Sequence, residues 1–382
     1  MMQENEECEE QVVTNPITGS QDVIRENIIK YIDSARFDIL QIIDNEPVTP
    51  SMIADRGLVS RKTASEYITE FQECAFVNSN ADNHYVLTYS GKFALELVED
   101  CLETITREQL AFLSRSPRPL RFLRSLRTGP RGPHKLANAS ADSPGRATIW
   151  RTFQTFEEYG WCESCPKGYR LTTRGEEALF AYQKLLKQSE QVIAKAPFLQ
   201  RLSTEFANFP THALTDAELV FSKPASPGLV VEAALKLRDF RTRHFRILTS
   251  VFQPTLFKTY YQSTRLGLAV EPIVDSTVYE RIAQNEDLHY LLDNSKRDNY
   301  TLRCLEDSLT LGIGLYDDRK VAIGAYNEVG DGNHVAMIVS SNDELVEWAT
   351  KKYERYREQS VDPMDPSRVT ETASITQESN SQ

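Results

Sequence analysis

Seven lysine or arginine side chains and one histidine, with no carboxylate among them, stand between Arg115 and Lys135 in RSPRPLRFLRSLRTGPRGPHK. Cationic groups at that density neutralise phosphates and release the counterions condensed on a nucleic acid. The chain around them is acidic: 382 residues hold 55 Asp or Glu against 43 Lys or Arg, a net charge of −12. A second pattern with chemical reach is Cys162-x-x-Cys165. One such pair lacks the second pair that a zinc site wants, so the plainer reading is two small residues in a hairpin arm. Six cysteines in so long a chain do not make a disulfide framework. Catalytic spacings are missing: the chain has no G-x-S-x-G elbow, no H-E-x-x-H, no G-x-x-x-x-G-K-[ST] loop and no His-x-Lys pair. Gly312-Ile313-Gly314 lies in a strand pattern and reads as close packing rather than nucleotide binding. The expectation is a chain without enzymatic activity, cofactor or metal.

The elements that position the basic stretch come from an internal repeat. Leu40, Ile43, Pro47, Pro50, Ile53 and Ala54 fall on Leu123, Leu126, Pro130, Pro133, Leu136 and Ala137 at a constant offset of 83. After a two-residue insertion, Arg61, Thr63, Phe71, Ala75 and Phe76 match Arg146, Thr148, Phe156, Gly160 and Trp161. Tyr85, Leu87, Thr88 and Gly91 then match Tyr169, Leu171, Thr172 and Gly175. Each copy reads helix, helix, helix, hairpin, helix. Phe37, Leu40 and Ile43 form one apolar helical face; Thr49 and Ser60 are N-caps, with Pro50 at a first helical position. Ser143 and Pro144 repeat that start in the second copy. In the third helices, Ala64, Tyr67, Ile68 and Phe71, and then Ile149, Phe153 and Phe156, face inward. A helix-turn-helix followed by a short hairpin is a winged helix.

Charge separates the two copies. Ile24–Ile105 carries 7 basic and 14 acidic residues, net −7, whereas Thr106–Gln188 carries 15 and 7, net +8. In the second copy Arg146 and Arg151 are placed for bidentate contact with bases, and Thr148 for a thymine methyl or a phosphate. Arg121, Arg124, Arg131 and Lys135 are the phosphate candidates; Lys167, at the hairpin tip, is placed for a minor groove. In the first copy Arg61, Lys62 and Ser65 hold the outward positions of the third helix and are further candidates for DNA contact. A competing reading makes the winged helices protein-interaction modules in a transcription complex, which the acidic first copy would suit.

After YQKLLKQSEQVIAKAPFLQRL, which ends at Leu202, the period changes. AELVFS, HFRILTSVF, LGLAVEPIVD, YTLRCLED, LTLGIGLYD, KVAIGAYN and HVAMIVSS read as strands, with amphipathic helices over 228–238, 255–265 and 277–284 between them. That alternation argues an α/β domain with a largely enclosed sheet, and LYDDRKVAIGAY reads as a hairpin turning at Asp317–Asp318. Ser250–Pro254, the Asp317-Asp318-Arg319 hairpin and the final helix DELVEWATKKYERYRE resemble the effector domain of archaeal, haloarchaeal-type winged-helix regulators, the family named for the middle domain of a methanogenesis regulator. The resemblance implies a transcription regulator whose C-terminal domain senses something.

The expected organisation is α+β and α/β, multidomain: an acidic disordered tail (1–20), winged helices over 21–105 and 106–188, an α/β effector domain over 189–360, and a disordered tail (361–382). Double-stranded DNA is the expected partner of a homodimer, with a small-molecule effector near the carboxyl ends of the strands, at Ser250, Asp275 and Tyr326. No secretory signal and no membrane span is read in the chain, so a cytoplasmic place is expected.

Overall fold

The computed structural model describes residues 11–32, 34–132, 145–203, 208–223, 225–238, 241–293, 297–307, 309–326 and 334–362. Two compact units divide it, Met1–Gln200 and Arg201–Gln382.

The first unit opens with a hairpin, β1 (Val12–Thr14) antiparallel to β2 (Gln21–Val23). This corrects the expectation of disorder for residues 11–20. β-Branched residues suit the strand, and Asn15 closes the turn by accepting from the backbone N–H of Ile17 at 2.9 Å. Val13 is buried, and β1 packs with helix Thr173–Ala194.

The repeat follows. The first copy has helices Ile24–Ile32, Ser34–Asn45, Pro50–Asp55, Arg61–Glu73 and Tyr89–Thr104, with the wing β3 (Val77–Ser79) and β4 (Tyr85–Leu87). The second has Arg107–Ser114, Pro117–Leu126, Arg146–Glu158 and Thr173–Ala194, with the wing β5 (Cys162–Cys165) and β6 (Gly168–Leu171). Thr49 and Ser60 cap as expected, accepting from Met52 N at 3.3 Å and Thr63 N at 3.1 Å. Ser143 and Pro144 lie outside the described residues. Each wing gains a one-residue third strand: Val48 and Tyr85 exchange backbone hydrogen bonds, and so do Arg131 and Tyr169.

The two copies agree most closely where the third helix ends. Ala75 and Gly160 both turn left-handed, at φ 59° and 72°, and Phe76 N and Trp161 N donate back to Phe71 O and Phe156 O at 2.8 Å. The Thr88 hydroxyl donates to Ala75 O at 2.6 Å and accepts from Gly91 N at 3.1 Å. The Thr172 hydroxyl does the same between Gly160 O and Gly175 N, at 2.6 and 3.1 Å. Each glycine presses on the chain it faces: a Cβ on Gly91 would stand 2.1 Å from Phe76 O, and one on Gly175 2.1 Å from Trp161 O.

The copies pack within one unit through helices Tyr89–Thr104 and Thr173–Ala194. Lys184 pairs with Asp100 at 3.2 Å and Arg107 with Asp38 at 2.9 Å, while Arg25 donates to Ser114 O at 2.9 Å. Position 188, expected as a boundary, falls inside the second of those helices, which runs on to Ala194 and ties both copies together.

The second unit is a seven-stranded mixed sheet. Its strands are β7 (Glu218–Phe221), β8 (His244–Thr249), β9 (Ala269–Asp275), β10 (Arg303–Leu305), β11 (Gly312–Tyr316), β12 (Lys320–Tyr326) and β13 (His334–Ser340). Their order is β10-β9-β8-β11-β12-β13-β7, with β8, β9 and β10 parallel and the other pairings antiparallel. Asp317 and Asp318, at φ 51° and 54°, make the expected hairpin turn. Helices Leu229–Leu237, Pro254–Ser263 and Ser276–Gln284 pack with the sheet face that carries Phe245, Val270 and Met337. Asp343–Gln359 covers the opposite face, where Tyr353 donates to Glu271 O at 2.8 Å and Arg246 pairs with Asp318 and Glu354. Val361 exchanges backbone hydrogen bonds with Cys304, so ordered chain continues one residue past the expected limit of 360.

Substituting Gly91→Ala or Gly175→Ala forces a methyl against a backbone carbonyl, and each is expected to cost about 3 kcal/mol or more. Urea unfolding of the two variants checks this; a loss below about 1 kcal/mol would mean the contact yields easily.

Candidate nucleic-acid interface

The third helix of the second copy, Arg146–Glu158, is seated by aromatic packing. Phe153 stacks on Tyr169 of the wing (4.7 Å, 20°) and on Phe122 (6.1 Å, 19°). With Ile149 and Phe156 it is fully buried, which fixes what the helix presents outward. Arg146, Thr148 and Arg151 are exposed. Among the described residues neither guanidinium has a carboxylate partner, and the first turn holds no acid. Trp150 stands 51% exposed on this helix. Sequence reasoning passed over it, although it lies outside the Ile149, Phe153, Phe156 set and four residues from Arg146. A large ring left in water on a helix of this kind is the signal that was available.

The other basic candidates divide. Lys167 is exposed at the tip of β5–β6, where Gly168 takes φ +121° and lies so close to the Arg131 backbone that a Cβ would meet Arg131 O at 2.4 Å. Arg131 spends its guanidinium locally, donating to Ser125 O at 2.9 Å and Thr128 Oγ1 at 2.7 Å. Arg124 is half-buried and turned to Gln183, whose carboxamide oxygen accepts from Nε at 2.8 Å. Arg121 is half-buried, its guanidinium 5.7 Å from the Phe122 ring centre. Arg118 and Arg127 are the exposed cations along this helix and at its C-cap; sequence reasoning did not single them out for phosphate. Lys135 and His134 lie outside the described residues.

The first copy presents a different face on the same frame. Arg61, Lys62, Ser65 and Thr69 are exposed. Glu66 stands where the second copy has Arg151, and it pairs with Lys62 at 3.8 Å. The equivalent of Trp150 is Ser65.

Cys162 and Cys165 begin and end one strand, three residues apart, so their side chains leave on opposite faces. Cys162 is buried, with its thiol toward Phe153 O at 3.8 Å. Burial first, then Glu157, pushes that thiol up to about 12. Among the described residues no group of three or more His, Cys, Asp or Glu side chains is arranged to hold a metal ion.

Ser250, Asp275 and Tyr326 are all buried near the carboxyl ends of β8, β9 and β12, which run in one direction. Ser250 donates to Leu309 O at 2.6 Å, and Asp275 Oδ1 caps helix Ser276–Gln284 by accepting from Val278 N at 2.9 Å. Asp275 Oδ2 has no partner among the described residues. The Tyr326 hydroxyl shares a hydrogen bond with Thr249 at 3.2 Å. Burial raises its pKa; hydrogen bonds with Thr249 and Ser250 oppose the rise, and Asp275 adds to it.

Residues 227–359 match the family described as methanogenesis regulatory protein FilR1, middle domain, and residues 30–110 and 107–192 each match the HVO_A0261 N-terminal domain. No curated protein matches the chain. Two solved structures show weak likeness. TrmBL2, an archaeal chromatin protein that shows a novel mode of DNA binding, is 15% identical with a TM-score of 0.29, over 71% of this chain and 98% of that one. NucT from Helicobacter pylori is 17% identical with a TM-score of 0.30, over 38% of this chain and 98% of that one. Likeness at that level carries no functional reading. Among the described residues no helix is long and apolar enough to cross a membrane.

In the folded protein at pH 8, iodoacetamide should modify Cys165 well before Cys162, read by peptide mass. Equal rates would place both thiols in the same environment.

Proposed function

We propose that this chain, which joins two HVO_A0261 N-terminal domains to a FilR1 middle domain, is a sequence-specific transcription regulator that meets double-stranded DNA chiefly through its second winged helix. One observation carries the reading: Arg146 and Arg151 stand exposed and, among the described residues, without carboxylate partners on a helix seated by Phe153, while the matching face of the first copy carries Glu66. In a helix-turn-helix the third helix enters the major groove, where Arg reads guanine in bidentate fashion. Thr148 flanks that face, and Trp150 adds an apolar surface of the kind that meets a thymine methyl. Arg118, Arg127 and Lys167 supply exposed charge for phosphates, and Arg121 supplies part of one. Arg124 and Arg131 position the first helix and the wing. The regulator acts as a homodimer on a two-fold site, and the C-terminal domain senses a small effector.

The acidic first copy favours a second role beside the first, as a contact for another protein. Its net charge of −7 opposes approach to a phosphate backbone, and the Lys62–Glu66 pair leaves Arg61 as the main free cation of its third helix.

Selection of bound fragments from sheared source-genome DNA by the purified chain should enrich a recurring sequence. On that sequence the double reversal Arg146→Glu with Arg151→Glu should weaken binding about 100-fold or more, since each guanine contact is worth about 1–3 kcal/mol. Arg61→Glu with Lys62→Glu should weaken it only a few-fold, and both proteins should keep the wild-type circular-dichroism spectrum. No enrichment at any salt concentration, with the protein folded, would favour the interaction-module reading.

A further inference from the structure

A cavity opens in the second unit against the sheet face that carries Phe245, Ile247 and Thr249, bordered by helices Leu229–Leu237 and Pro254–Ser263. Its volume is about 70 Å³, well below the roughly 300–1,000 Å³ of drug-sized ligand sites, so its occupant is small. Three glycines form the sheet side of it, and each gives its place to a ring. A Cβ on Gly312 would stand 2.4 Å from the Tyr326 hydroxyl, one on Gly324 2.8 Å from His334 Nδ1, and one on Gly314 3.2 Å from Phe245 Cε2. Glycine weakens a strand interior by roughly 0.5–1 kcal/mol relative to alanine. Three of them on one face of two neighbouring strands therefore run against local stability, as is usual where a site is being shaped.

The described residues around the cavity include no Lys, Arg, Asp or Glu. Their polar groups are few and uncharged. Thr249 reaches it from β8, and Tyr260, which donates to Ala234 O at 3.1 Å, lies beside Tyr316. The His334 ring stands edge-on to Tyr326 at 4.8 Å. Burial pushes its pKa down to about 4, so the imidazole is neutral at physiological pH and offers one donor and one acceptor. Arg238 acts on Tyr260 and Asp275 on Tyr326 from outside the lining, but an ion entering this space would lose hydration with no opposite charge in contact among the described lining residues, a penalty of several kcal/mol that apolar contact would not offset.

We infer that this cavity binds a small uncharged organic molecule, a single aromatic ring or short alkyl chain with one hydrogen-bonding group, and not an anionic or cationic metabolite. The inference deepens the proposal that the C-terminal domain is a sensor. It relocates the site from Ser250, Asp275 and Tyr326, which are engaged in the protein's own packing, to the space beside them. It is independent of which winged helix meets DNA.

The test uses the full-length protein with four probes of similar size, phenol and benzyl alcohol (neutral), benzoate (anionic) and benzylamine (cationic), followed by isothermal titration and thermal melting at pH 7. Phenol or benzyl alcohol should bind saturably and raise the melting temperature, and benzoate and benzylamine should do neither. Ala234→Leu, which places a larger side chain into the cavity from a half-exposed helix position, should abolish neutral-probe binding while the protein melts as wild type. If that variant melts early, Leu256→Phe is the second filling substitution. Charged probes binding as tightly as neutral ones, unchanged binding in both filled variants, or no saturable binding of either neutral probe up to its solubility would overturn the inference. Repeating the DNA titration with bound probe separates the two claims: binding as described with unaltered DNA affinity sustains the cavity and removes the sensor reading.

Discussion

A threonine hydroxyl holds each winged helix in shape. In both copies it donates to the carbonyl at the left-handed end of the third helix and accepts from the first turn of the exit helix, at the same two distances. The glycine three residues on then lies against the carbonyl that follows, with no room for a Cβ. These contacts set the angle between the helix that presents the polar face and the helix that packs the two copies together. Everything outward, the guanidinium groups included, inherits its placement from that junction. A buried carbonyl left without such a donor would cost about 1–3 kcal/mol, so the threonine is required by the backbone and not by the surface chemistry.

On one frame the two copies have taken opposite charge. The inward residues stay apolar and of similar size, Phe71 matching Phe156 and Phe76 matching Trp161. The outward positions change freely, because exposed side chains contribute little to stability. Arg151 replaces Glu66, and Trp150 replaces Ser65. The acidic copy and the basic copy then sit in one compact unit, held by Lys184–Asp100 and Arg107–Asp38. Under the proposed function, the difference in net charge, −7 against +8, would favour approach of a polyanion to the second copy over the first.

The repeat and its elements were legible because buried positions recur at helical spacing and because caps and turns need particular residues: Thr49, Ser60 and Asp317–Asp318 all read correctly from type alone. The seven strands were legible as apolar runs, but their order was not, since pairing between distant segments leaves no local mark. Residues 11–20 read as tail because a three-residue strand is shorter than any pattern window. Among site candidates, Arg146, Thr148, Arg151 and Lys167 stand exposed as their spacing implied. Arg124 and Arg131 do not, because a long guanidinium finds whichever carbonyl or carboxamide is nearest, and Gln183 comes from the far end of the domain. The cavity was the least legible feature. Gly312, Gly314 and Gly324 are spaced two residues apart within strands and ten across the hairpin, and only the register shows that they face one space.

The central claim is that phosphate and base contacts come from the second copy because Arg151 occupies the position that Glu66 holds in the first. Its most direct measurement is the salt dependence of affinity for the selected duplex, in wild type and in the single variants Arg151→Glu and Glu66→Arg. Each phosphate neutralised contributes about 0.9 to the slope of log affinity against log salt concentration. The account predicts that Arg151→Glu lowers both affinity and slope, while Glu66→Arg leaves the slope within about one contact of wild type. A silent Arg151→Glu together with a large gain in affinity and slope from Glu66→Arg would contradict it and move the DNA interface to the first copy.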